Sequence, residues 1–185
     1  MKKIVIVLAV MLISALSADA QKWSISTNVI DWANFGTVNG EVGVAVSQHW
    51  SVMAGARYNP WTFKAGDQQT QFQNRKQSYH IGARVWPWHI YSGWWFSAQA
   101  QYQEYNRGGI INRDTEEGDA VGLGLSLGYT LMVHKRFNLE FGVGGWGGYK
   151  WYTKFMCPVC GRITETGEKF FVMPNDLRVS LMYIF

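Results

Sequence analysis

Cysteine occurs twice and proline four times in these 185 residues. Beyond the first twenty positions no apolar run reaches the ~18 residues that a membrane-crossing helix requires. So few cysteines exclude a disulfide-dense scaffold, and so few prolines leave long extended segments uninterrupted. The missing apolar runs exclude a helical membrane bundle. Charge is nearly balanced, with 17 basic against 13 acidic residues and no basic block, which argues against a nucleic-acid partner. No Gly-x-Ser-x-Gly, His-Glu-x-x-His, P-loop or dinucleotide fingerprint occurs, so the motifs point to no catalytic group, metal or cofactor.

What the chain does have is glycine and aromatic residues: 20 Gly, 10 Trp, 9 Tyr and 10 Phe. Its first residues have the layout of a secretory signal peptide. Lys2 and Lys3 precede an apolar stretch over 4–16, and Ala18-Asp19-Ala20 offers small residues for cleavage before Gln21. The expected division is a signal peptide over 1–20 and one domain over 21–185.

Within that domain eight segments alternate with the period of two that marks a strand: 22–30, 38–46, 50–58, 77–86, 94–103, 121–131, 137–151 and 177–185. The sixth is the clearest, with Val121, Leu123, Leu125, Leu127, Tyr129 and Leu131 set against Gly122, Gly124, Ser126, Gly128 and Thr130. Connections alternate in length. Three are short, at 47–49, 87–93 and 132–136, and four are longer, at 31–37, 59–76, 105–120 and 152–176. Short turns at one end and long loops at the other predict an all-β fold, an eight-stranded antiparallel transmembrane β-barrel built as an up-and-down meander. The expected location is the cell outer membrane, with outer-membrane lipids as the surrounding partner and the long loops outside.

Aromatics fall into two groups that read as interface girdles. Trp23, Trp50, Trp88, Tyr91, Trp94, Phe137, Tyr183 and Phe185 lie towards the short-turn end, and Trp32, Tyr58, Trp61, Tyr102, Tyr105, Trp151 and Tyr152 towards the other. The last segment ends in Tyr183 and Phe185, which resembles the closing strand by which barrels are recognised. The barrel-assembly machinery is thereby expected as a partner during biogenesis.

The faces opposite the aromatic and apolar ones carry Glu41, Arg57, Arg84, Glu140 and Arg178. Eight strands enclose a lumen only wide enough for side chains to fill. Glycines on the sixth and seventh segments make room for Trp95 and the arginines opposite. Buried charges need partners, so these five are expected to form a lumen charge network, with Asp176 as a further acceptor.

Cys157 and Cys160 form Cys-Pro-Val-Cys-Gly in the fourth long loop. In an exported chain so close a pair predicts a small disulfide at the loop tip. The alternatives are a zinc knuckle completed by loop carboxylates such as Glu165 or Glu168, and thioredoxin-like redox chemistry, which would need a helix after the motif. Ser78 and His80 share one strand face and could be a nucleophile and its base. The register turns them into the lumen, where a hydrogen-bonded structural pair is the simpler reading.

The mature chain resembles domain of unknown function family 3575, a group of uncharacterised outer-membrane proteins of gut-type anaerobes. The resemblance rests on Asn28 in the first strand, Tyr58-Asn59-Pro60-Trp61, Arg84-Val85-Trp86, Gly128-Tyr129, Asn138-Leu139-Glu140 and the Cys-x-x-Cys loop. It implies an outer-membrane barrel, with a surface or fimbria-associated protein as a partner, and carries over no catalytic residue. The function expected is structural or surface-binding, in adhesion or assembly, with a filled lumen and long extracellular loops. A lipid-modifying enzyme and a narrow channel are the alternatives.

Overall fold

The computed structural model describes residues 22–65, 71–109, 114–157 and 161–185. Eight strands close into an antiparallel barrel: β1 (Trp23–Asn28), β2 (Val38–Ala45), β3 (Trp50–Asn59), β5 (Phe72–Val85), β6 (Gly93–Gly108), β7 (Thr115–Met132), β8 (Phe137–Phe155) and β9 (Ile163–Ile184). Neighbours in sequence are neighbours in the sheet, and β1 pairs with β9 to shut the ring, with Ser24 opposite Ile184 and Asn28 opposite Ser180. A two-residue strand, β4 (Thr62–Phe63), folds back along the upper end of β5. Among the described residues no helix is long and apolar enough to cross a membrane, which has no bearing on strands.

The first strand ends earlier than its alternation suggests. Asn28 accepts a hydrogen bond from Ile30 N through its side chain and starts a one-turn helix, α1 (Val29–Ala33). A side chain that satisfies the first free amides of a turn favours helix over continued strand. The same Asn28 side chain bonds Leu177 O at 3.0 Å and Val179 N at 3.0 Å, extending the seam with β9 where β1 has stopped.

The long loops expected at 105–120 and 152–176 are in fact mostly strand. β6 and β7 stay paired up to Gly108 and Thr115, and β8 and β9 up to Phe155 and Ile163. Their Glu, Asn, Lys and Gly content reads as loop, but the register sets complementary groups opposite each other. Asn106 Nδ2 donates to Glu117 Oε2 at 2.9 Å and Lys154 Nζ to Glu165 Oε2 at 2.7 Å. Cross-strand pairs of this kind sustain a ladder that hydrophobic alternation no longer marks. A bulge at Gly144/Gly145 admits Pro174, where a missing amide is tolerated at an irregularity of the sheet.

Outward faces are apolar over the middle of every long strand. Ile81, Leu123, Leu125 and Val172 are 65%, 72%, 71% and 75% exposed. Trp50, Trp88, Trp94, Phe137 and Phe185 are exposed towards the short-turn end, and Trp32, Tyr58, Trp61, Tyr102 and Trp151 towards the other. Three aromatics assigned to those groups belong inside instead. Tyr105 lies three residues beyond outward Tyr102 and Tyr152 directly follows outward Trp151, so alternation turns both inward, and both are buried. Tyr91 turns in from a connection of positive φ, and its hydroxyl donates to Lys22 O at 3.1 Å.

Candidate functional site: the lumen of the barrel and its mouth

Inward side chains fill the lumen in three levels. At the short-turn end Trp86 and Trp95, both fully buried, pack with Tyr91, Met182 and Ile184. Trp95 fits because the walls beside it carry no side chains. A β-carbon on Gly128 would sit 2.4 Å from Trp95 Cζ2, and one on Gly142 would sit 2.8 Å from Trp95 Cη2. Arg84 stacks its guanidinium over the Trp95 ring at 4.4 Å, the geometry in which a planar cation meets the negative face of an indole.

Above this plug lies a network of alternating charges. Arg84 reaches Glu41 at 2.7 Å and Glu140 at 2.8 Å, and Arg178 reaches the same two carboxylates at 3.0 and 3.1 Å. The four groups come from β5, β9, β2 and β8 and form a closed square across the lumen. Arg57 bonds Asp176 at 2.9 Å and Asp31 of α1 at 3.0 Å. Sequence alternation missed Asp31, because its place depends on the α1 turn. Arg178 also approaches Asp176, at 3.6 Å, and Ser126 donates to that carboxylate at 2.6 Å. Each arginine thus meets at least two carboxylates, as buried guanidinium groups need.

Ser78 and His80 are buried on the lumen side of β5, and His80 Nε2 lies 3.0 Å from Glu41 Oε2. His80 therefore belongs to the charge network, and Ser78 is a buried residue on the same face. A third level, Tyr105, Ala120, Trp146 and Phe171, packs above the network.

Beyond it lies the mouth of the barrel. One inward level runs through Asn59, Lys76, Tyr105, Gly118, Tyr152 and Gly167 on six successive barrel strands. A cavity of about 810 Å³ touches these residues and their chain neighbours. Lys150 stands between the two tyrosines, 5.6 Å from the Tyr105 ring and 5.1 Å from that of Tyr152. Lys154 and Lys169 each lie 5.2 Å from Tyr152, and Arg107 lies 5.0 Å from Tyr105. Glu116 pairs with Lys150 and Glu165 with Lys154, and Glu104, Glu117, Asp119 and Glu168 are further acidic residues around the cavity.

Ionisation at the mouth follows these contacts. Burial pushes the Glu116 carboxyl up, but the hydrogen bonds from Lys150 and Tyr105 and the charges of Lys150 and Lys169 prevail and hold it below its ordinary value. Hydrogen bonds from Lys154 and Tyr152 hold Glu165 low as well. The Tyr105 hydroxyl is driven up, first by burial and then by its bond to Glu116.

His49, His89 and His134 lie in the connections at the opposite end from Cys157. Cys160 lies outside the described residues, and the expected disulfide falls there with it. Tyr183 and Phe185 sit at the β1–β9 seam, their rings 4.9 Å apart and edge to face, with Phe185 N donating to Trp23 O at 2.9 Å.

A model of a protein family of unknown function, DUF3575, matches residues 4–185. No curated protein and no solved structure matches.

Proposed function

We propose, from the premise that this chain belongs to the DUF3575 family of proteins of unknown function, that it is an outer-membrane barrel with a surface-binding role. The observation that carries the reading is the outward face. Leu123, Leu125, Ile81 and Val172 are each at least 65% exposed, in a band bordered by exposed tryptophan and tyrosine rings. Leaving a side chain of this size in water costs on the order of 1.5–3 kcal/mol relative to burying it. A hydrocarbon layer removes that cost, and rings at both borders suit its two interfaces.

The sealed lumen supports a role without conduction. Three filled levels and a cross-braced set of charges oppose passage of solute, so binding falls to the mouth, where β6–β9 extend past the upper ring of aromatics. The partner class for that end is a surface or fimbria-associated component, in adhesion or its assembly. Signal cleavage after Ala20 and handling by the barrel-assembly machinery belong to the same proposal.

The test is envelope fractionation combined with gel migration before and after boiling. Recovery in the outer membrane and slower or faster migration of the unheated form support the barrel reading. Recovery in the soluble periplasm overturns it.

A further inference from the structure

We infer that the upper edge of β9, from Thr166 to Val172, takes up an extended segment of another protein as an added antiparallel strand. The inference deepens the surface-binding reading above by naming how the partner is held, and it rests on that reading's choice of the mouth as the binding end.

β9 is 22 residues long and has β8 beside it for almost all of that length, but β1 beside it only from Ser180 to Ile184. The Asn28 side chain carries the seam on to Val179 N and Leu177 O, and there it stops. Above that point no strand among the described residues pairs with β9 on this side. The far edge of the same tall wall is closed, since β4 lies along the top of β5.

Backbone groups point alternately to the two edges of a strand. Trp23 O takes the amide of Phe185, and the Asn28 side chain takes that of Val179, so odd-numbered amides face β1 in the lower part of β9. The bulge at Gly144/Gly145 inserts one residue and moves this to even numbers. Pro174, which has no amide to leave unpaired, is the first of them. Val172, Phe170, Glu168 and Thr166 follow, all exposed. Val172 and Phe170 stand in the apolar outward band, where lipid offers a backbone group no hydrogen bond and an open edge is costly. An extended main chain is the chemistry that answers such a row of groups.

Side chains narrow the occupant. Lys169 stands opposite Lys150 on β8, a like-charge pair, and a carboxylate on its open side would offset the repulsion. Glu168 stands opposite uncharged Trp151, and its open side suits a cation. Phe170 and Val172 favour apolar neighbours. A second copy does not fit: β9 edges joined antiparallel would point the two mouths in opposite directions, whereas copies in one membrane point the same way. The occupant is therefore a segment of a different chain, apolar at one end, with an acidic and a basic residue side by side in its middle.

The experiment is amide exchange, read by mass spectrometry, on the purified full chain in an uncharged maltoside detergent. The probe is the blocked octapeptide Val-Thr-Val-Glu-Lys-Tyr-Thr-Lys. One control is the same peptide N-methylated at its first, third, fifth and seventh residues, and the other has its adjacent glutamate and lysine exchanged. At millimolar peptide, exchange between Thr166 and Val172 should slow by at least about fivefold with the probe and stay unchanged with the methylated form. In the Glu168→Lys, Lys169→Glu chain, the probe and its charge-exchanged form should trade ranks.

No slowing, equal slowing by the methylated peptide, or ranks unmoved by the substitution overturns the inference. So does a stable dimer of the free chain in which these amides are already slow, because a second copy would then be the occupant. Both substituted side chains are exposed, and heat-modifiable migration verifies that the variant's barrel has formed. The measurement does not depend on membrane placement, so its failure is distinct from that of the fractionation test.

Discussion

Arg84 Nη2 lies 2.7 Å from Glu41 Oε1, a contact that joins β5 to β2 over the intervening β3. The same guanidinium holds Glu140 of β8, whose side chain has no exposure at all. Removing one member of a buried ion pair leaves its partner charged without compensation, at a cost of about 3–5 kcal/mol. Arg84→Met should therefore lower stability by that order, read from urea unfolding in lipid vesicles by tryptophan fluorescence. A change below about 1 kcal/mol would mean that Arg178 alone neutralises both carboxylates.

Deleting Phe185 removes an edge-to-face ring contact with Tyr183 and the last ladder bond to Trp23. The expected outcome is less folded protein in the membrane fraction, measured as the heat-modifiable band. An unchanged yield would show that recognition of the closing strand does not need its terminal ring.

Epitopes inserted between Gly109 and Asp114 should be reached by antibody on intact cells, and epitopes inserted at 47–49 should not. Positions 105–108 and 115–120 are poor insertion sites, because they are paired strand. Equal access at both ends would contradict the proposed orientation.

Acid should loosen the mouth before the barrel. The Glu116 carboxyl is held below its ordinary value in the folded chain, so its contribution is fully present above the unfolded value of ~4.3 and is lost as pH falls through the lower folded value. Amide-exchange protection around Glu116 and Lys150, corrected for intrinsic rates, should be level from pH 8 to 5 and decline below the ordinary carboxylate range. Loss already between pH 7 and 5 would point to another group.

Cys157 and Cys160 are expected to form a disulfide whose ring is too small to constrain much of the unfolded chain, so it should contribute at most ~1–2 kcal/mol. Intact mass with and without reductant and alkylating agent tests the bond, and unboiled gel migration under reduction tests its independence from the barrel. Two alkylated thiols in oxidised protein would refute it, and stoichiometric zinc would favour the metal reading.

The sequence made the lower half of the barrel legible because apolar and small residues alternate there without interruption, as from Val121 to Leu131. The upper half was hidden where pairing relies on Asn106 with Glu117 or Lys154 with Glu165, since charged residues between glycines look the same in a loop and in a paired strand. The arginines and glutamates of the lumen could be read from parity alone. Asp31 could not, because it enters through α1, and the inward turn of Tyr105 and Tyr152 follows only once the strands are known to continue past Gln103 and Trp151.

The seam between β1 and β9 joins Asn28 to Val179, groups 151 residues apart. It sets an order of events during folding. Every other pair of barrel staves is local and can zip as the chain emerges, yet β1 has only one neighbour until β9 arrives. An incomplete chain is thus a curved sheet with two open edges, a form that a hydrocarbon layer does not accept. If the barrel enters a membrane as proposed, insertion and closure would be one concerted step late in the life of the nascent protein, and any delay in delivering β9 would prolong the stage at which it can aggregate.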